Sequence, residues 1–179
     1  MNSKNLNKRN LFFAITTLIL ILLSCNSKKQ VDHFYINLDL VIQQTDSIRV
    51  FYKTNASINF NETEAFWTKI SGNKKNQKVT LKFPKNIFPK QFRIDIGNSI
   101  KQSGIVINKL ECQFKTNSFD LKGKEVYQTL RIDQNNTILD KETGVLSRKD
   151  KSQKNGISLY PNGKKLNSRL ENLFKKDKI

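Results

Sequence analysis

Phe34-Tyr35-Ile36-Asn37-Leu38-Asp39-Leu40 decides the fold class. Apolar and polar residues alternate without a break, so one face of this segment meets a core and the other meets water. His33–Val41 therefore reads as a half-buried strand. The same period of two recurs down the chain. Ser47–Lys53 repeats it with Ile48, Val50 and Tyr52, and Phe66–Ile70 reads as a further short strand. Ser71-Gly72-Asn73-Lys74-Lys75-Asn76 reads as a turn, followed by a strand through Val79, Leu81 and Phe83 that Pro84 ends. Gln91–Gly97 places Phe92, Ile94 and Ile96 on one face and Arg93 and Asp95 on the other. Gly104–Phe114 is expected to be the longest strand. Val126–Asp133 reads as a strand, Leu139–Gly156 as a charged loop, and Ile157–Tyr160 as a short paired strand before the Pro161-Asn162-Gly163 turn.

The period then changes. Leu166, Leu170, Leu173 and Phe174 fall at i, i+4, i+7 and i+8, so 164–176 is expected to be one C-terminal amphipathic helix. It either packs on the sheets or lays its basic face on a membrane. Many short strands joined by Gly, Asn and Pro turns give a mainly β chain, an antiparallel β-sandwich with that helix. No fixed-period repeat is present.

The whole chain has 179 residues and a formal net charge of +17. Such an excess favours polyanionic partners, whereas lysines scattered over a solvated surface would carry no such meaning. The N-terminal segment is built in three parts. Lys4, Lys8 and Arg9 are followed by an apolar run from Leu11 to Leu23, and then by Leu22-Leu23-Ser24-Cys25. The run is shorter than the ~20 residues a membrane-spanning helix needs. This arrangement resembles a bacterial lipoprotein signal peptide with its lipobox. The resemblance implies cleavage after residue 24 and acylation of the Cys25 thiol. It divides the chain into 1–24 as signal peptide, 25–32 as lipidated cysteine and polar linker, and 33–179 as one domain. No acidic residue stands just after Cys25. The expected place is thus the cell envelope, on the outer membrane facing the periplasm, held by lipid.

A second resemblance rests on Asp46-Ser47-Ile48-Arg49-Val50-Phe51-Tyr52, on Lys82-Phe83-Pro84 with Pro89, and on Phe92-Arg93-Ile94-Asp95-Ile96-Gly97 followed by Ile105-Val106-Ile107. Read in order, these resemble the jelly-roll-like β-sandwich attached to glycosyltransferase-like bacterial membrane proteins of envelope polysaccharide assembly. The resemblance covers roughly residues 33–120 and implies a module shaped like a carbohydrate-binding one. The membrane spans of those proteins are missing here, so the resemblance does not extend to transferase activity.

Candidate binding residues follow from chemistry. Arg93 and Asp95 share a strand face, where they either pair with each other or offer a guanidinium fork and a carboxylate to sugar hydroxyls. Asp95-Ile96-Gly97-Asn98 supplies too few oxygens for calcium. Sugar rings also want exposed aromatic faces, for which Trp67 and Phe51 are the leading candidates beside Tyr35 and Phe66. Trp67 is the only tryptophan, and core packing is its competing fate. Phe51 points away from Ile48, Val50 and Tyr52, and is either outward or covered by the second sheet. Asp46-Ser47-Ile48 fits the Asp-Ser/Thr-aliphatic pattern of periplasmic O-glycosylation, which would modify Ser47.

No catalytic constellation is visible. Cys112 alternates with polar neighbours and reads as a small inward hydrophobe. The only histidine, His33, is far from it in sequence, whereas a catalytic thiol needs an activating base. One His and one free Cys cannot build a zinc site. Glu62 and Glu64 sit in a polar segment and read as solvated. No enzyme activity, metal or cofactor is expected, and nucleic acid is not an expected partner of an exported chain. Two readings remain: a non-catalytic envelope lipoprotein that binds carbohydrate or envelope polysaccharide, and a structural or accessory lipoprotein that binds a protein partner. Polycationic contact with anionic lipid is a weaker third.

Overall fold

The computed structural model describes residues 32–97, 99–153 and 155–175. The expected signal peptide, Cys25, most of the expected linker and Lys176 lie outside the described residues. The chain folds as two antiparallel sheets. In order, the strands are β1 (Phe34–Ile42), β2 (Asp46–Lys53), β3 (Ala65–Ile70), β4 (Asn73–Lys82), β5 (Gln91–Ile96), β6 (Ile105–Phe114), β7 (Asn117–Lys122), β8 (Leu130–Ile132), β9 (Thr137–Leu139), β10 (Val145–Arg148) and β11 (Ile157–Pro161). Helix α1 (Lys124–Thr129) precedes β8, and helix α2 (Lys165–Lys175) follows β11. The first sheet runs β4-β1-β6-β10-β9, with β7 also paired to β6. The second runs β3-β2-β5-β11-β8.

The expected sandwich is therefore present, and alternation is what builds it. Phe34, Ile36, Leu38, Leu40 and Ile42 of β1 are fully buried, and so are Ile48 and Val50 of β2 and Ile94 of β5. Inward side chains of both sheets form one core. Phe83, just after β4, meets Phe34 at 4.8 Å, Phe66 at 4.9 Å and Tyr52 at 5.7 Å between ring centroids. Such tilted and edge-on contacts suit the ring quadrupoles. Cys112 lies in this core, fully buried, and burial pushes its thiol well above the usual range. Helix α2 buries Leu166, Leu170 and Leu173, and Phe174 reaches Phe34, Phe88 and Phe114. Its apolar face is thus committed to protein.

Four sequence expectations need correction. The turn placed at 71–76 ends at Gly72. Asn73, Lys74, Lys75 and Asn76 already belong to β4, with Asn73 opposite Ile42. An edge strand that exposes both faces needs no apolar alternation, and its lysines suit an edge. Next, 126–133 is not one strand. Lys124–Thr129 is helical and buries Val126 and Thr129, three apart, and only Leu130–Ile132 is extended. Packing against β7 and β6 overrides the β preference of Val126 and Tyr127.

The loop placed at 139–156 contains β10 and the end of β9. Asp140 closes their turn by accepting from the Glu142 and Thr143 amides, and Gly144 adopts a positive φ of 73°. Finally, β6 does not stand alone as the longest strand, because β4 equals its ten residues. Strand β7, to which the sequence reading assigned no element, pairs Asn117–Lys122 with β6.

Where β6 leaves β10 and takes up β7, the ladder has a gap at Ile107 and Asn108. The Tyr127 hydroxyl fills it, bonded to the Ile107 backbone and donating to the Gly144 carbonyl. Burial pushes that phenol up to about 12. Beside it lies a cleft of about 520 Å³ between β6, α1 and the 139–144 turn.

Gly156 closes the far end of β5 against β11. A Cβ there would sit 1.8 Å from the Gly97 carbonyl oxygen and 2.5 Å from that of Ile96. Gly156→Ala is therefore expected to lose about 3 kcal/mol, since overpacking against backbone finds no rotamer escape. Urea unfolding of the variant beside wild type measures it, and an unchanged midpoint would refute the close approach.

Candidate functional site

Strand parity turns the polar side chains of the second sheet away from the core. On β2, Ile48, Val50 and Tyr52 point inward, so Arg49 and Phe51 point outward. On β5 the outward residues are Arg93 and Asp95, on β11 Ser158 and Tyr160, on β3 Trp67, and on β8 Arg131. Register then aligns them. Arg49 stands opposite Trp67 on one side and Asp95 on the other, and Asp95 stands opposite Ser158. In the next row Phe51 faces Arg93, and Tyr160 faces Arg131.

These side chains form an alternating series of rings and guanidinium groups across all five strands. The Arg49 guanidinium carbon lies 4.7 Å from the Trp67 ring and 4.4 Å from the Phe51 ring. Arg93 follows, 5.0 Å from Phe51 and 4.4 Å from Tyr160. Arg131 ends the series 5.0 Å from Tyr160. Each such contact contributes about 0.5–2 kcal/mol, rising with desolvation. Phe60, from the segment joining β2 to β3, lies 6.4 Å from Phe51 and 6.3 Å from Tyr160. Phe51 is consequently buried. It is neither open to solvent nor under the other sheet, because arginines and Phe60 cover it.

Carboxylates hold the inner two arginines. Asp95 takes both fork nitrogens of Arg93 at 2.7 Å and approaches Arg49 at 3.7 Å. This pair is about four-fifths buried. Arg49 also donates to both oxygens of Glu62 at 2.8 Å, but Glu62 is exposed. The buried Arg49 Nε has no hydrogen-bond partner, which leaves ring faces to stabilise that part of the guanidinium. Glu62 and Glu64 lie on a 3-10 turn capped by the Asn61 side chain. Glu64 pairs with Lys53, and the hydrogen bond from Lys53 holds its carboxyl below the usual range. Each glutamate is thus tied to a cation and the two do not form a paired-acid site.

All four candidate binding residues fall on this face. Trp67 is 49% exposed and does not join the core. Arg93 and Asp95 adopt the mutual pairing. Ser47 lies on the same face of β2, half-buried, opposite Lys69, with its amide bonded to the Asp46 carboxylate. Among the described residues, no group of three or more His, Cys, Asp or Glu is placed to hold a metal ion. No described helix is long and apolar enough to cross a membrane. Sequence reasoning missed Arg49, Phe60, Tyr160 and Arg131. Arg49 was within reach of the parity argument applied to Phe51. The others depend on strand order and on a loop crossing the sheet, neither of which alternation encodes. No protein-family model, curated protein or solved structure matches the chain.

Asp95→Asn removes the one carboxylate that touches both inner arginines and is expected to lose about 2 kcal/mol of stability. Glu62→Gln breaks only an exposed pair and is expected to lose under about 1 kcal/mol. Chemical denaturation compares them. Equal losses would show that the buried fork does not organise the face.

Proposed function

We propose that this chain is a lipid-anchored protein of the bacterial cell envelope that binds carbohydrate, without catalysing a reaction, through the outer face of its second sheet. The observation that carries the reading is Trp67, the sole tryptophan, held half-exposed on that face by stacking on Arg49. A large ring left in water costs solvation free energy that a core position would recover. The flat apolar face of a sugar ring recovers it on binding. Beside Trp67 stands the Arg49 guanidinium, 4.7 Å from its ring, the kind of group that fixes hydroxyl orientation. Arg93 and Asp95, saturated by each other, position the series more than they offer free hydrogen bonds. Phe51, roofed by Phe60, belongs to its foundation.

The membrane attachment rests on the lipobox-like Leu22-Leu23-Ser24-Cys25. Each buried methylene of an acyl chain contributes ~0.8 kcal/mol, so two or three chains hold a protein at a bilayer in effect permanently. The expected location is the outer membrane, facing the periplasm. The competing reading is an accessory lipoprotein that binds protein in an envelope complex, and the same measurement decides between them.

Two results are expected. Radiolabelled palmitate is incorporated by the wild-type chain in bacterial cells and not by Cys25→Ser. Equal labelling of both would remove the lipid anchor from the reading. Separately, the detergent-solubilised full chain retains purified envelope polysaccharide at high salt, and Trp67→Ala weakens retention at least about tenfold, or 1.4 kcal/mol. Absence of salt-resistant binding would favour the accessory lipoprotein.

A further inference from the structure

The charges on the outer face of the second sheet are unevenly satisfied. Asp95, Glu62 and Glu64 are each in an ion pair with Arg49, Arg93 or Lys53. Two cations on the same face have no such partner among the described residues. Lys69 lies two residues after Trp67 on β3, so it shares the outward face, and it is exposed. Arg131, on β8, is also exposed, and its guanidinium rests on Tyr160. Asp133 is two residues from Arg131, but its carboxylate accepts from the Asn135 amide and is not within ion-pair distance of Arg131. β3 and β8 are the two edges of the sheet. Each margin of the face therefore carries an unneutralised cation beside an aromatic ring, with neutralised pairs between them.

We infer that the ligand of this face is a carboxylate-bearing glycan lying across the strands, with one acidic group at Lys69 beside Trp67 and another at Arg131. This rests on the carbohydrate reading and specifies its chemical class. Four inter-strand steps separate β3 from β8, about 19 Å at ~4.8 Å each, and the register offsets Lys69, opposite Ser47, from the row of Phe51, Arg93, Tyr160 and Arg131 by roughly 13 Å along the strands, so the two charges lie on a diagonal of about 23 Å. That span calls for a polymer whose charges recur along its length. A single small acid reaches one margin only. The neutralised middle of the face neither attracts nor repels such a chain, and it offers the covered ring series as a floor. Margin cations left in solvent contribute attraction that salt screens. The acidic component of binding is therefore salt-sensitive, and the Trp67 stacking component is not.

The test uses the full chain in detergent, with polygalacturonate and the same polymer after chemical reduction of its carboxyl groups to neutral sugars. Wild type is expected to bind the acidic polymer about tenfold more tightly at low salt, with the gap closing as salt rises. Lys69→Gln and Arg131→Gln are each expected to weaken the acidic polymer about fivefold, or about 1 kcal/mol. Lys141→Gln, on the β9–β10 turn away from this face, serves as the charge control and leaves binding unchanged. Circular dichroism confirms that each variant is folded. Equal affinity for the two polymers would overturn the acidic class while leaving the carbohydrate reading in place. Loss in Lys141→Gln equal to that in Lys69→Gln and Arg131→Gln would overturn the placement. No binding of either polymer would overturn both this inference and the carbohydrate reading.

Discussion

The Asp95 carboxylate is the constraint on which the outer face of the second sheet depends. It sits between two guanidinium groups on neighbouring strands, engaging Arg93 through both fork nitrogens and Arg49 at longer range. Without it, two mostly buried cations would face each other across Phe51. With it, both arginines can lie flat over rings, and the rings gain cation contacts on a surface no third layer covers. A two-layer sandwich leaves each sheet one face toward water. Here one such face is covered by its own side chains, joined from the β2–β3 connection by the Phe60 ring and by Glu62 and Glu64, which pair with Arg49 and Lys53.

What the sequence reveals about this face follows the physics of the strand. A period of two separates faces, so Ile94 and Ile96 inward and Arg93 and Asp95 outward are legible from Gln91–Ile96 alone. Neighbours are not legible. That Trp67 meets Arg49, and Tyr160 meets both Arg93 and Arg131, is set by the order β3-β2-β5-β11-β8, in which chain-distant strands lie side by side. Trp67 shows the limit well. Its type and surroundings allowed both core and surface, and only the parity of β3, with Phe66 and Ile70 facing in, decides for the surface.

The misread elements share a different cause. Each obtains its structure from the rest of the molecule and not from its own pattern. The first half of β4 is polar because it is an edge. Helix α1 is too short to show a helical period, and its Val126 and Tyr127 favour strands in isolation. Strand β10 is four residues long and carries Ser147 and Arg148. Arg148 then donates to the carbonyls of Gln153, Asn155 and Gly97, so it ties the β10–β11 connection to the end of β5 in the opposite sheet. β6 changes partner partway along, and a tyrosine hydroxyl stands in for the missing ladder bonds. None of these arrangements has a local sequence signature.

The cations of the ring series are all arginines. Among the described residues, no lysine or histidine joins the series. A guanidinium keeps its proton throughout the range in which proteins are folded. The ring series thus contains no histidine, the side chain whose charge ordinarily changes between about pH 5 and 8. A histidine-based face would act as a sensor of acidity; a series of guanidinium groups and rings is not built as one.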